Sequence, residues 1–394
     1  MKNTQLKKAL CAILATMLML TATGCQQATT EDTTSANNTQ SAAEQTAESE
    51  TTSEESKSDS ETAEETAEES SPIERNSPYV DEPITLTAEE QEAMKKEPAY
   101  GKTIRYWLSD GCTSGPVVAD KLGYYAEAGL TAEGVKGTSY TEALGTGSAE
   151  VAVGHIATML VPCTNGVDLT FVGGAHIGCK SLYVLADSEY QSTSDMVGTK
   201  IAVPNGIGAS DYNITSLLLD ADGINPQQDV ELIQVETSAC VAAMESGEIS
   251  GALLSDTFAY HMVEEGKLRC VRSLTWDEDF QQEPCCIIAM NATYVKENPI
   301  HAKVITACVK RAHNWMRSNP EEATQLLIDE GLNSEDFDMN VELNQSLYFG
   351  LSDDFTEAGL KDIASDYIRL GLITATDDLD TVMEKAWNPQ CPEE

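Results

Sequence analysis

Residues 200–211 read KIAVPNGIGASD, and this stretch decides the fold class. An apolar strand candidate, Lys200–Val203, ends at Pro204, and a Gly-rich loop then leads into a helix candidate that begins at Asp211. The same order of strand, loop and helix recurs before and after it. Alternation of this kind predicts an α/β protein with mostly parallel sheets.

The remaining elements follow from short apolar runs and helical periodicity. The other strand candidates are Thr103–Leu108, Glu150–Val153, Leu169–Val172, Ser181–Ala186, Val230–Val235, Ser250–Leu254 and Cys286–Met290. Helix candidates are Thr87–Lys96 (with Thr87 and Glu90 spaced as a capping box), Thr141–Leu144, His155–Pro162, Asp211–Asp220, Ser238–Ser246 and Thr257–Glu265. From Asn298 onward only helices are predicted, at His301–Arg317, Glu321–Glu330, Val341–Phe349, Thr356–Leu370 and Leu379–Trp387.

The first 24 residues have the features of a cleaved export signal. A basic start is followed by an apolar run, Ala9–Leu20, which is too short to span a bilayer, and then by small residues. The ending Ala-Thr-Gly-Cys resembles a bacterial lipobox, which implies that Cys25 is lipidated and becomes the mature N-terminus. An ordinary secretory signal with a chance cysteine is the alternative. We expect a protein held on the extracytoplasmic face of the cell membrane.

Residues 25–99 are predicted to form a disordered acidic tether that ends in a short helix. From Gln26 to about Ser71 the chain is almost entirely Thr, Ser, Ala, Gln and Glu, so it has nothing to bury. The whole chain carries a formal net charge of −41. Nucleic acid and anionic lipid are therefore excluded as partners, because both are polyanions.

Cysteine use is unusual for an exported protein. The chain has 11 cysteines, and those after Cys25 are Cys112, Cys163, Cys179, Cys240, Cys270, Cys285, Cys286, Cys308 and Cys391. Their number is odd, so they cannot all pair within the chain. The neighbours Cys285 and Cys286 are too close to join each other without strain. Some of these thiols are therefore expected to stay free.

Four segments carry a resemblance to a known family. Residues 117–130 (VVADKLGYYAEAGL), 142–154 (EALGTGSAEVAVG), 194–204 (SDMVGTKIAVP) and 242–252 (AAMESGEISGA) resemble, in that order, the motifs of the nitrate/sulfonate/taurine group of solute-binding proteins. Relatives of this group bind a thiamine pyrimidine precursor. Glu150 and Ser250 stand where the family usually has Asp.

The resemblance implies a two-lobed periplasmic-binding-protein fold of type II, with parallel-sheet lobes, a two-strand hinge and a helical C-terminal segment. Lobe 1 would comprise 101–187 together with 285–394, the segment that contains the returning hinge strand and the C-terminal helices. Lobe 2 would comprise 188–284. The implied protein is a monomeric binding component of an ABC importer. Its partners would be a permease with its ATPase, and a small-molecule ligand held between lobes that close by hinge bending.

Ligands of open α/β sheets bind beyond the carboxyl ends of the strands. That rule selects the following ligand-binding candidates: Ser109, Cys112, Thr113, Ser114, His155, His176, Cys179, Asn205, Ser210, Asp211, Ser255, Asp256, Glu283 and Cys285. Gly-rich loops and helix N-termini at Ser114 and Ser210 suit a small polar or anionic ligand. The resemblance implies that this ligand is a sulfonate, a nitrate-like anion or a small nitrogen- or sulfur-containing heterocycle. The same serines could simply cap helices, and Asp211 and Asp256 oppose an anion.

A second interpretation gives the same binding role a different ligand. Soft sulfur and imidazole donors suit a transition metal, a metal complex or an iron–sulfur species. The candidate ligands of such a group are Cys112, His155, His176, Cys179, Cys285 and Cys286. No Cys-x-x-Cys or His-Glu-x-x-His pair supports it, so no cofactor is certain from the sequence.

Two further classes of protein are compatible with the sequence. An enzyme like the thiamine pyrimidine synthase is the main rival, although no nucleophile elbow, phosphate loop or dinucleotide fingerprint is present. A surface adhesion protein would also suit a tethered acidic chain. The family motifs favour a binding protein that is not an enzyme.

Overall fold

The computed structural model of the protein describes residues 73–78 and 82–391. The export signal, Cys25 and the first part of the predicted tether lie outside the described residues. Within them, no helix combines the length and the apolar character required to cross a membrane.

The described chain has strands in two separate five-stranded sheets. The strands are β1 Thr103–Trp107, β2 Thr131–Val135, β3 Val151–His155, β4 Thr170–His176, β5 Lys180–Leu185, β6 Lys200–Ala202, β7 Glu231–Ile233, β8 Gly251–Ser255, β9 Leu268–Ser273 and β10 Cys286–Met290. The order is β2-β1-β3-β10-β4 in the first sheet and β7-β6-β8-β5-β9 in the second. Each sheet forms the centre of one lobe.

Helices cover the sheets and form the C-terminal segment. They are α1 Ala88–Met94, α2 Gly115–Lys121, α3 Tyr124–Glu127, α4 Tyr140–Gly145, α5 Ile156–Thr164, α6 Ser210–Ala221, α7 Cys240–Glu245, α8 Asp256–Glu264, α9 Ala292–Glu297, α10 Pro299–Ser318, α11 Pro320–Asp329, α12 Phe337–Ser346, α13 Asp353–Arg369 and α14 Leu379–Ala386. Short 3₁₀ turns lie at Gly111–Thr113, Thr193–Met196, Thr237–Ala239 and Phe280–Gln282. The capping box predicted for α1 is present, because Thr87 and Glu90 each accept the other's backbone N–H.

The prediction of an α/β fold with mostly parallel sheets is confirmed, and each sheet also contains one antiparallel strand. In each sheet four strands run parallel to one another and one runs against them, namely β10 in the first sheet and β5 in the second. Each reversed strand is the first strand that the chain enters after it crosses from one lobe to the other. The chain crosses at 177–179, before β5, and again at 274–285, before β10, so two segments join the lobes.

The expected boundary of lobe 2 at residue 188 is wrong in position. β5 pairs with β8 and β9 in the second sheet, so the chain enters that sheet at Lys180. No break in the sequence pattern marks this position, because β4 and β5 are both apolar and only a short turn separates them. The return at 285 agrees with the prediction, since β10 begins at Cys286.

Two strands escaped prediction, and one helix is displaced. β2 and β9 are edge strands whose side chains are largely exposed or half-buried, so neither has a clear apolar pattern. Helix α12 begins at Phe337 rather than Val341, because the Asp336 carboxylate accepts the Met339 N–H and caps it. Ser210 is the first residue of α6 rather than its cap.

Candidate functional site

A cavity of about 510 Å³ lies between the two lobes. Its walls come from the loop after β1, the ends of β3 and β8, the first crossing segment and the C-terminal helices. The residues that line it are Asp110, Gly111, Cys112, Thr113, His155, Cys179, Ser255, Asp256, Thr257, Met316, Leu327, Gly331, Leu332, Asn333, Ser334, Asn340, Leu343, Asn344, Leu347 and Phe349. The strand ends among them agree with the rule that ligands bind at the carboxyl ends of strands.

The two crossing segments meet beneath this cavity and are held by backbone hydrogen bonds. The Cys179 N–H donates to Thr275 Oγ1 (2.8 Å), and the Cys285 N–H donates to the His176 carbonyl (3.0 Å). The Ile156 N–H in turn donates to the Cys285 carbonyl (3.0 Å). Cys179 and Cys285 are thus fixed at the junction of both lobes.

Cys179 has a backbone conformation that is rare for a residue with a side chain. Its φ is 102°, and the preceding Gly178 has a φ of 78°. A Cβ atom at Gly178 would lie 2.7 Å from Thr275 Oγ1, so only glycine fits there. A non-glycine residue at positive φ costs roughly 1–3 kcal/mol and is concentrated at functional sites.

Four side chains converge at this junction and form what we call the thiol–imidazole cluster: His155, Cys179, Cys285 and Cys286. One ligand atom from each lies within 4.8 Å of all the others. His155 Nε2 is 3.2 Å from Cys179 Sγ, which is 3.7 Å from Cys285 Sγ. Strand pairing explains the contact, because Cys286 on β10 lies opposite His155 on β3.

Mutual hydrogen bonds shift the thiol pKa values within the cluster. A hydrogen bond with Cys179, followed by one with Cys286, lowers the pKa of Cys285 to about 6. The pKa of Cys179 is also lowered, chiefly by a hydrogen bond with Cys112. Burial raises the pKa of Cys286 well above its usual value.

The predicted metal ligands do not all belong to this cluster. Cys112 lies on the cavity wall and contacts Cys179 and Cys286 through its thiol. His176 lies outside the four-residue cluster, although it pairs with Cys286 in the sheet. Its Nδ1 is 3.0 Å from the Ile177 carbonyl and its ring packs on Phe349, on the side of His313.

Several other predicted residues have structural partners instead of facing the cavity. The Ser109 hydroxyl donates to the Thr113 carbonyl and the Ser114 hydroxyl to the Gly111 carbonyl, each at 2.7 Å. Asp211 forms an ion pair with Lys180 and accepts the Asn205 N–H at 2.9 Å. The Ser210 hydroxyl donates to Asp211 as well. The sequence could not reveal that Lys180 pairs with Asp211, because the two residues are far apart in the chain.

Ser255 and Asp256 do reach the cavity, but their side chains are engaged. The Ser255 hydroxyl accepts the Phe258 N–H and caps α8. The Asp256 carboxylate accepts hydrogen bonds from the Tyr183 hydroxyl at 2.8 Å and from Thr275. Burial raises the pKa of Asp256.

Glu283 lies at a separate, much smaller cavity of about 30 Å³, which Cys285 and Tyr367 also line. Burial raises the pKa of this carboxyl to about 8, and the negative charges of Asp366, Asp362 and Asp279 add to the shift. Glu283 therefore belongs to the packing around the second crossing segment.

Sequence reasoning missed the C-terminal wall of the cavity. Asn344 on α12 lines the cavity, and its buried Oδ1 has no hydrogen-bond partner among the described residues. No lysine or arginine is found among the described residues that line the cavity. A C-terminal helix gives no local signal that it will close a site formed by strand ends far earlier in the chain.

A profile of the family described as NMT1/THI5 like matches residues 113–323, just over half of the chain. The chain belongs to this family. Its two-lobed architecture is the periplasmic-binding-protein fold. The alkanesulfonate-binding protein SsuA from Xanthomonas axonopodis has a similar structure, with a TM-score of 0.56 and 17% identity over 74% of this chain and 99% of that one.

Two curated proteins are similar to this chain at low sequence identity. A candidate binding protein of Brucella abortus is 26% identical over 221 residues, which are 54% of this chain. The chain spans 66% of that relative's length. A formylaminopyrimidine-binding protein of Halalkalibacterium halodurans is 21% identical over 250 residues, 62% of this chain and 73% of the relative.

Proposed function

We propose that this protein is the solute-binding component of an ABC importer. It captures a small solute between its lobes and delivers it to a membrane permease that an ATPase drives. The observation that carries the proposal is the cavity of about 510 Å³ to which both lobes contribute and beneath which two crossing segments meet. Cavities of this size suit small organic ligands.

The lining favours an uncharged solute with hydrogen-bond donors over a simple anion. No lysine or arginine is present among the described lining residues, whereas two acidic residues, Asp110 and Asp256, belong to the lining. Asn344 Oδ1 is a buried acceptor without a partner among the described residues, and such groups are costly unless a ligand satisfies them. An amino group on a small nitrogen heterocycle would do so.

The names of the relatives support this choice of ligand class. A relative in the same family binds a formylaminopyrimidine, which is a nitrogen heterocycle with donors of this kind. The structural neighbour that binds alkanesulfonates makes a sulfonate the second candidate. The lack of a cationic partner in the described lining counts against the sulfonate, because a buried anion needs compensation.

We place the protein on the extracytoplasmic face of the cell membrane. The proposal rests on the signal-like first residues and on the lipobox-like sequence that ends at Cys25. A lipid on Cys25 and the acidic tether would keep the binding lobes near the permease.

Calorimetric titration tests the ligand class. We expect aminopyrimidines to bind, and Asn344→Ala to weaken this binding about 5- to 30-fold, the effect of losing one buried hydrogen bond. Gln345→Ala is the matched control, because its exposed neighbouring side chain on α12 lies outside the cavity lining. Binding of alkanesulfonates or nitrate without aminopyrimidine binding would overturn this ligand class.

The same samples separate a binding protein from an enzyme. After long incubation, mass spectrometry should recover the bound solute unchanged and in a ratio of one per chain. A product that accumulates beyond that ratio would favour the synthase-like alternative and reject the importer role.

A further inference from the structure

We infer that the thiol–imidazole cluster is a binding site for one thiophilic transition metal ion, held by Cys179, Cys285, Cys286 and His155. This goes beyond the solute-binding role, which needs no metal. It concerns a different part of the cleft from Asn344, namely the floor where the two crossing segments meet.

The spacing of the donor atoms fits a tetrahedral ion. A metal–sulfur bond of about 2.3 Å places the sulfurs of a tetrahedral site about 3.8 Å apart. Cys179 Sγ and Cys285 Sγ are 3.7 Å apart, and His155 Nε2 is 3.2 Å from Cys179 Sγ. A disulfide would need about 2.0 Å between the sulfurs. The distances are therefore those of ligands arranged around a common centre.

The donor types select the class of metal. Three sulfurs and one imidazole nitrogen suit Zn²⁺, Cu⁺ or Fe²⁺, whereas Mg²⁺ and Ca²⁺ require oxygen ligands. Asp256, whose backbone N–H donates to the Cys179 carbonyl at 3.1 Å, has its carboxylate bonded to Tyr183 and Thr275. That carboxylate is therefore already engaged.

The ligands are positioned before any metal arrives. His155 and Cys286 lie opposite each other on adjacent strands, and backbone hydrogen bonds fix Cys179 and Cys285. The positive φ of Cys179 aims a side chain from a turn that normally requires glycine. Because both crossing segments supply ligands, a bound ion would join them directly.

Two members of the cluster face the large cavity. His155 and Cys179 line the cavity, whereas Cys286 is fully buried and Cys285 is 8% exposed. Cys112 adds a further thiol from the cavity wall. A solute with a nitrogen or sulfur donor could therefore approach the ion from the cavity.

Cobalt titration of the full chain, purified without oxygen, tests the inference. We expect one Co²⁺ per chain, with thiolate-to-metal charge-transfer bands and the d–d bands of tetrahedral cobalt, and displacement by Zn²⁺. X-ray absorption of the zinc form should give a first shell of sulfur and nitrogen. A first shell of oxygen alone, or no charge-transfer band, would overturn the site.

Variants locate the metal in the chain. Cys179→Ser and Cys285→Ser should each lower the affinity by more than about 100-fold, since changes outside the ligand shell already cost 10- to 100-fold. Cys163→Ser and Cys308→Ser are matched controls, because these cysteines are buried elsewhere in the first lobe. Circular dichroism verifies that each variant is folded. The absorption spectrum of the cobalt-loaded unaltered protein tests the site even if a variant does not fold.

The outcomes for metal and solute are distinguishable. If aminopyrimidines bind but cobalt does not, the metal site is rejected and the importer role stands. If cobalt binds at the cluster but no solute binds, the solute-binding role is rejected. Equal metal affinity in Cys179→Ser and Cys163→Ser would reject the assigned ligands even if some metal binds.

Discussion

Cys179 combines a strained backbone, a place on the cavity wall and contacts with both a histidine and other thiols. A buried cysteine is usually a small apolar side chain, and Cys163 and Cys308 fit that description. The difference lies in the neighbours. Cys179 has sulfur and imidazole partners, whereas the Cys163 and Cys308 thiols lie against backbone carbonyls.

Glu283 supports a prediction about pH. Burial raises its pKa in the folded chain to about 8, from an ordinary value of 4.5. This group's contribution to stability is therefore full below about pH 4.5 and is lost as the pH rises toward 8. Glu283→Gln stays neutral at every pH. The melting temperature of this variant, relative to that of the unaltered protein, should therefore rise between about pH 4.5 and pH 8 and stay constant above pH 8.

Thermal melts at a series of pH values measure this effect. Glu278→Gln, which removes an exposed carboxylate nearby, is the control and should follow the unaltered protein. Parallel curves for Glu283→Gln and the unaltered protein would contradict the assigned pKa.

Among the elements, α10 organises the first lobe through close contacts with its neighbours. Lys310 on α10 is buried and donates to Asp353 on α13 at 2.7 Å. His313, also on α10, lies against the start of α2, and burial lowers the pKa of its imidazole to about 3. The ring is therefore neutral and packs as part of the core.

Gly115 is the position where α2 and α10 approach most tightly. A Cβ atom there would lie 2.1 Å from His313 Nε2, so Gly115→Ala must displace a buried ring. We expect it to lower the free energy of unfolding by about 1–3 kcal/mol, the usual cost of overpacking. Urea denaturation measures the change.

Gly137→Ala is the matched control for that substitution. Its added Cβ would lie 3.4 Å from the Trp107 ring, which is an ordinary contact. A change of at most about 1 kcal/mol in either direction is expected. If both variants lost the same free energy of unfolding, the loss would come from replacing glycine in general and not from the contact with His313.

At the scale of the whole molecule, repulsion among the excess negative charges destabilises the fold, whereas ion pairs between the lobes stabilise it. The chain has 65 acidic and 24 basic residues, so its charges repel one another. Exposed ion pairs also connect the lobes, since Arg369 on α13 pairs with Asp220 on α6 and His261 on α8 pairs with Asp336 before α12. Such exposed pairs contribute little individually, so we expect the overall repulsion to dominate.

Moderate salt should therefore stabilise the protein. Raising NaCl from about 10 mM to about 150 mM shortens the Debye length from about 30 Å to about 8 Å. We expect the melting temperature to rise by a few degrees. KCl at the same ionic strength should give the same rise, which excludes specific sodium binding. A lower melting temperature in salt would mean that the ion pairs between the lobes outweigh the repulsion.

Much of the fold follows from local sequence patterns. β10 was predicted with its observed bounds, and the capping box of α1 was read from two residues. Apolar runs and caps are local properties, so they can be recognised without the fold. β2 and β9 were missed because edge strands bury few side chains and lack such a pattern.

The site was predicted only in part, for a different physical reason. The sequence determined which residues end strands, and so named Cys112, His155, Cys179 and Cys285 as candidates. Only the tertiary structure decided which of them meet, because the contacts depend on strand register and on two chain crossings far apart in sequence. β10 pairs Cys286 with His155 on one side and with His176 on the other, and the His176 ring packs against Phe349. Local pattern therefore determined the elements, and long-range hydrogen bonding determined the cluster.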